Sequence, residues 1–161
     1  MSEVSAAMGL TNLESLDNVI AGNRANYRDY AKHLAGLPGV TLFPYDERHR
    51  SNYQYVVALV GDESPLTRDQ LVTVLHAENV MARRYFYPGV HRMEPYRSVF
   101  PDAHRLLPCT EQVCREVLVL PTGTSVTGSD VKRVCAVIRA ALEQATPVRA
   151  RLRASDLSGQ S

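Results

Sequence analysis

Four arginines, three tyrosines and a histidine stand within sixteen residues, Ala82 to Arg97, in the run ARRYFYPGVHRMEPYR. Guanidinium groups pair two-pronged with carboxylates and phosphates, and phenols and imidazoles add hydrogen bonds beside them. The chemistry such a set can do is recognition of a ligand rich in oxyanions and hydroxyls. Residues 82–87 have strand composition, which would send Arg83, Tyr85 and Tyr87 to one face and Arg84 and Phe86 to the other. Pro88-Gly89 then reads as a type II turn, with proline presetting φ and glycine supplying a positive one. A strand end that carries cations and phenols into a turn presents an anion-binding edge. The plainer alternative is an edge strand with solvated arginines and buried rings.

The rest of the chain offers no complete active site. It has no glycine-rich phosphate loop, no GxSxG, and no nucleophile with an assignable base. Lys32 and Lys132 are the only lysines, and both fall on helical patterns where a solvated side chain is expected. A Schiff-base lysine needs a desolvating pocket instead. Cys109, Cys114 and Cys135 lack CxxC spacing and read as reduced thiols of a cytoplasmic protein. The five histidines do not cluster as metal ligands do. A net charge of +1 supplies no basic face, so nucleic acid is not an expected partner. No run approaches the roughly 18 apolar residues of a membrane span, and the first ten residues lack the pattern of a signal peptide.

The elements that must position the Ala82–Arg97 run are legible in outline. A chain of 161 residues suits one domain burying about 70% of its unfolded surface. Leu13, Leu16, Ile20, Tyr27, Tyr30 and Leu34 mark one stripe of a long first helix, interrupted by Asn23. Val4, Ala6, Ala7, Met8 and Leu10 make its start apolar on more than one face. Such a helix far exceeds the usual length of about 11–12 residues. Its first turns therefore call for a partner, either another chain or a missing part of this one.

Strands are expected at 40–43, 52–60, 80–87 and 116–120. Thr67 and Gln70 form a capping box for a second helix, which Asn79 ends in a left-handed C-cap. Pro108 opens another helix carrying Val113 and Cys114 inward. Thr127 and Asp130 start the last, whose buried face is Val131, Val134, Cys135, Ile138, Ala141 and Leu142. The fold class is α+β: a long N-terminal helix, then a small, mainly antiparallel sheet with helices on one face. The expected divisions are a connecting helix over 1–36, a small domain over 37–143 and a disordered tail over 144–161.

Several segments, in order, carry a likeness to a known family. MSEVSAAMGLTNLESLD resembles the helix that follows an N-Y-R-M-S-E segment, with Met1 on that segment's methionine. SNYQYVVALV resembles the first strand of a small domain. RDQLVTVLHAENVMARRYFYPGVHRMEPYR resembles a helix–strand–turn that typically reads L-x-x-x-G-I-x-x-x-x-H-Y-x-P-x-H. LPCTEQVCREVLVLPTGTSVTGSDVKRVCAVI resembles a closing strand and final helix. Together they resemble the C-terminal part of a DegT/DnrJ-type sugar aminotransferase, a pyridoxal-5′-phosphate enzyme of fold type I, over residues 1–143.

The resemblance implies amine transfer from an amino acid, glutamate, to a keto-deoxysugar nucleotide. It implies a cofactor lysine upstream of position 1, so the chain is expected to lack the cofactor domain and to be inactive alone, as a split or truncated gene product or an incomplete gene model. Its partners would be the nucleotide-linked sugar and either a second copy or the missing N-terminal half. Arg83 or Arg84 would meet the nucleotide diphosphate or the donor carboxylate. Tyr85, Tyr87 and His91 would hydrogen-bond sugar hydroxyls or phosphate, with Arg84 and Tyr87 favoured. Phe86 stands where many members have histidine, which removes one polar contact to the substrate. The competing expectation is a non-catalytic module that docks to an intact homologue through the long helix.

Overall fold

The computed structural model describes residues 2–158, so Met1 and its family alignment lie outside the described residues. Helix α1, Glu3–Leu34, opens the chain with Ser2 as N-cap, its side chain accepting from the Ser5 amide. Strands β1, Val40–Leu42, and β2, Val56–Val60, follow. Then come α2, Arg68–Ala77, the short helices α3, Tyr96–Val99, and α4, Ala103–Leu106, and α5, Pro108–Glu116. Strand β3, Val117–Leu120, leads to α6, Gly128–Glu143, and α7, Ala145–Ser158.

The sheet is antiparallel throughout, in the order β1-β2-β3, with Val40 opposite Val60 and Ala58 opposite Leu118. Val56, Ala58, Val60, Leu118 and Leu120 point into one core with Tyr30, Leu71, Leu75, Val131 and Ile138. Helices α1, α2 and α6 thus cover one face of a small sheet, as α+β architecture requires. Strand alternation produces this directly: Val56, Ala58 and Val60 are buried while Val57 and Leu59 between them are half-buried.

Local signals fixed the helix ends. Thr67 accepts from the Gln70 amide while the Gln70 side chain accepts from the Thr67 amide, a complete capping box. Asn79 adopts φ 58°, and the Val80 and Asn79 amides donate to Leu75 and His76. That is the left-handed stop expected of asparagine past a helix end. At Gly39, φ is +64° and a Cβ would stand 2.1 Å from the Ser64 amide nitrogen, so no larger residue fits between the two turns.

Several expectations need correction. The strand expected over 52–60 begins only at Val56, because Tyr53 takes a left-handed φ of 52°. That turn places its ring against Tyr45 at 4.5 Å and Tyr27 at 5.6 Å, and Tyr27 and Tyr45 touch edge-on at 5.0 Å. Val113 is exposed rather than inward, since α5 turns that face to an open cleft and not to the core. The tail expected to be disordered from residue 144 is instead helical over Ala145–Ser158. Ala145 is buried and Val148 packs against the core, which anchors the first turn of α7. The remaining tail residues, 159–161, lie outside the described residues.

Among the described residues nothing covers the N-terminal half of α1. Val4, Met8, Leu10 and Leu13 are each about two-thirds exposed, at 69%, 64%, 64% and 65%. From Asn23 onward the helix is pinned. Asn23 donates to the Asn52 carbonyl and accepts from Thr122, Asn26 donates to the Val126 carbonyl, and the Tyr30 hydroxyl donates to the Pro121 carbonyl. The polar interruption in the stripe is therefore the seam that holds the 121–126 loop. No helix among the described residues is long and apolar enough to cross a membrane.

Candidate functional site

The strand expected over 80–87 does not form. Only Arg83 pairs with the sheet, exchanging both backbone hydrogen bonds with Val119 at 2.9 and 2.8 Å. Pairing stops there because the Arg84 side chain is drawn to Asp69 on α2, and Pro88 can donate no ladder hydrogen bond. The expected alternation of faces fails with it. Gly89 has φ −60°, so the Pro-Gly pair is not a type II turn; Gly89 instead starts a single 3-10 turn over Val90–Arg92.

Three clusters result. In the first, the Arg83 guanidinium donates to the Tyr85 hydroxyl at 3.1 Å, and Tyr85 stacks edge-on against Tyr55 at 5.8 Å. This cluster lines a cleft of about 260 Å³ beside β3.

The second cluster is tighter. Arg84 and Arg68 both stand over the Tyr87 ring at 5.1 Å from its centroid. Both donate to the same oxygen, Asp69 Oδ1, from Arg84 Nη1 at 3.2 Å and Arg68 Nε at 2.8 Å. Arg68 is 2% exposed and donates further to the Val117 carbonyl at 2.7 Å and the Cys114 carbonyl at 2.8 Å. A buried guanidinium is tolerable only with such partners. Arg84 and Tyr87, placed on opposite faces by strand logic, thus share one site.

The third cluster is built on Glu111 of α5. Arg92 grips its carboxylate two-pronged at 2.7 and 2.6 Å, and the His91 ring nitrogen Nε2 contacts the same group. Arg92 first, and His91 second, hold the Glu111 carboxyl down at about 2. A carboxyl depressed on folding stabilises the fold fully above its unfolded value and loses that contribution as pH falls through the folded one. Here the window runs from about 4.5 down to about 2. The stability gap between the native chain and Glu111→Gln is therefore expected to be constant near neutrality and to shrink through that window. Urea titrations at stepped pH read it directly, and parallel stability curves would contradict this assignment.

Of the five expected contacts, Tyr87 and His91 come together, lining a cleft of about 330 Å³ with Arg92, Arg97 and His104. Arg84 joins them through Tyr87. Arg83 and Tyr85 stand apart on the sheet side, though Tyr85 and His91 both border a larger cleft of about 740 Å³. Its walls are mostly apolar and include Phe86, Val90, Phe100, Leu107 and Val113. Phe86, at 77% exposure, presents a bare ring there. Arg68, Asp69, Arg92 and Glu111 were not singled out from the sequence. Arg68 and Asp69 sit inside the capping box, and nothing local distinguishes a buried arginine from a solvated one at that position. Among the described residues no group of histidine, cysteine and carboxylate side chains is placed to hold a metal ion.

A family model described as the DegT/DnrJ/EryC1/StrS aminotransferase family matches residues 1–139. A dTDP-4-amino-4,6-dideoxy-D-glucose transaminase from Escherichia coli is 34% identical over 134 residues, covering 83% of this chain and 36% of the relative. A dTDP-4-dehydro-2,3,6-trideoxy-D-glucose 4-aminotransferase from Saccharopolyspora spinosa is 31% identical over 154 residues, 94% of this chain and 37% of the relative. Among solved structures, DesI in the presence of its TDP-sugar product superposes with a TM-score of 0.86 at 42% identity, covering 95% of this chain and 38% of DesI. The chain spans a little over a third of the length of the relatives it matches.

Proposed function

The chain belongs to the DegT/DnrJ/EryC1/StrS aminotransferase family, and from that premise we propose that its residues form the substrate-facing small domain of a nucleotide-sugar aminotransferase. The reaction is amine transfer from an amino acid, glutamate, to a keto-deoxysugar nucleotide. The observation that carries this reading is the meeting of Tyr87 and His91 on one cleft, with the Arg84 guanidinium over the Tyr87 ring, on a chain 42% identical to a protein solved with its TDP-sugar product. Residues 1–36 would act as the connecting helix and 37–143 as the small domain.

Each side chain has a defined part. Arg84 offers a partly exposed guanidinium to an oxyanion of the nucleotide diphosphate or the donor carboxylate. Tyr87 and His91 offer hydrogen bonds to sugar hydroxyls or phosphate from the same cleft. Arg83 and Tyr85 border the sheet-side cleft and make a secondary contact. Phe86 gives an apolar ring where many members of the family present an imidazole, so this wall selects for a less polar edge of the sugar. The three cysteines are free thiols, in keeping with a cytoplasmic location.

Pyridoxal 5′-phosphate is the cofactor of the family. Lys32 and Lys132 do not fit it: both are exposed on helices, and neither lines the clefts described above. A lysine that condenses with a carbonyl needs its ammonium desolvated, and neither position does that. These residues therefore act on the substrate side, and the cofactor-holding group is supplied from elsewhere. Pyridoxal phosphate added to the purified chain is expected to produce no protein-bound visible band and no borohydride-trapped adduct. A stoichiometric adduct at Lys32 or Lys132 would sink the reading.

A second reading has its own observation. The exposed apolar turns of α1, Val4 to Leu13, suit a module that docks through this helix to an intact homologue or to a second copy. It predicts a stable complex without amine transfer, whereas the first reading predicts a complex with it.

A further inference from the structure

We infer that Asp69 is the positioning residue of the Arg84–Tyr87 pair, holding the Arg84 guanidinium so that its side-on edge faces an oxyanion. This rests on the reading of Arg84 as a substrate contact. The two arginines over Tyr87 differ in what they have left to give. Arg68 spends Nε, Nη1 and Nη2 on acceptors from three parts of the fold, and its side chain is 1% exposed. It is a fixed platform with no donor edge directed at solvent. Arg84 makes one hydrogen bond among the described residues, from Nη1 to Asp69, and its side chain is 44% exposed. Its Nε and Nη2 groups form the edge that engages phosphate or carboxylate in two-pronged fashion.

Two guanidinium groups at the same ring repel each other. Asp69 Oδ1 lies between them as their shared acceptor and offsets that repulsion. Three charged groups then leave a net single positive charge, and it is expressed at Arg84 because Arg68 is sealed. Asp69 itself is fixed by its place in the first turn of α2, just after the Thr67 cap. The capping box thus does more than start a helix: it sets the direction of a side chain fifteen positions later in the chain. Among the described residues, the Arg84 side chain meets Asp69 and the Tyr87 ring.

The test uses the full chain with nitrogen-15-labelled arginine. In the native protein the two terminal nitrogens of Arg84 are expected to give separate signals, as restricted rotation of a held guanidinium requires. In Asp69→Ala they merge, while the backbone amide spectrum away from Arg68 stays that of the folded protein, Arg68 keeping both carbonyl partners. Asp69→Asn, which keeps an acceptor oxygen but not the charge, gives an intermediate result that a merely structural role would not produce. Arg84 signals as well separated in Asp69→Ala as in the native chain would overturn the inference.

Titration with dTDP and, separately, with glutamate identifies the oxyanion. Whichever binds should bind about tenfold more weakly to Asp69→Ala, the loss expected when a charged hydrogen-bonding group is left unoriented. Equal affinity for the native chain and Asp69→Ala would also overturn the inference. Failure of both ligands to bind the native chain counts against the reading of Arg84 as a substrate contact. The Arg84 signals decide separately whether Asp69 holds it.

Discussion

Replacing Arg68 with methionine is expected to destabilise the fold by about 3–5 kcal/mol, a large share of the 5–15 kcal/mol typical of a domain. The side chain is among the most deeply buried in the protein, and three acceptors depend on it. Methionine fills much of the volume but leaves the Val117 and Cys114 carbonyls without a donor. Each unmade bond at a buried carbonyl costs about 1–3 kcal/mol. The loss falls at the junction of α2, α5 and β3, and it also removes one of the two cations over Tyr87. Arg84→Met provides the contrast. Its ion pair with Asp69 is half exposed, and such pairs contribute about 1 kcal/mol or less. Urea unfolding of the two variants should therefore separate them clearly. A loss below about 1 kcal/mol for Arg68→Met would show that Arg68 is not the keystone described.

The legible parts of this fold were those written in short stretches. Thr67 with Gln70, Asn79, Pro108 and Thr127 with Asp130 each act within a few residues, and all four mark helix ends as expected. The buried face of α6 follows from its spacing alone, from Val131 through Leu142. The run at 82–87 was different. Its alternation of charged and aromatic residues suits a strand, but a strand needs a neighbour along its whole length. Beyond Arg83 the side chains find better partners: Asp69 for Arg84, and Arg68 for Tyr87. Both partners lie more than a dozen positions away in the chain, so no local pattern announces them. The charged tail misled in the opposite sense. Arg149, Arg151 and Arg153 dilute a helical spacing of Ala145 and Val148, whose contacts with the core hold the first turn.

The same limit applies to the site. The Ala82–Arg97 run was recognisable by composition, and Arg84 and Tyr87 do meet. They meet where Asp69 binds Arg84 and the buried Arg68 lies over the Tyr87 ring, both of them beside the Thr67 cap. The cluster at Glu111 was likewise invisible, because His91 and Arg92 reach across from a loop to a different helix. The resemblance to sugar aminotransferases supplied what spacing could not: a class of ligand to propose for these residues.

On the proposed reading, amine transfer is absent from the chain alone and appears when a cofactor-bearing partner is supplied. The exposed apolar residues of α1 and the apolar walls around Phe86 and Phe100 are the surfaces such a partner would cover. A donor to try is the part of the Escherichia coli dTDP-4-amino-4,6-dideoxy-D-glucose transaminase outside the segment that matches this chain. The most direct test coexpresses that part with this chain, purifies the complex, and assays amine transfer from glutamate to a dTDP-4-keto-6-deoxy sugar. Aminated sugar nucleotide is expected from the complex and none from either part alone. Arg84→Ala is expected to lower kcat/KM by about a hundredfold, as for a misplaced substrate anchor. A folded, stoichiometric complex that yields no aminated product would contradict the assignment of this chain as the substrate-facing domain.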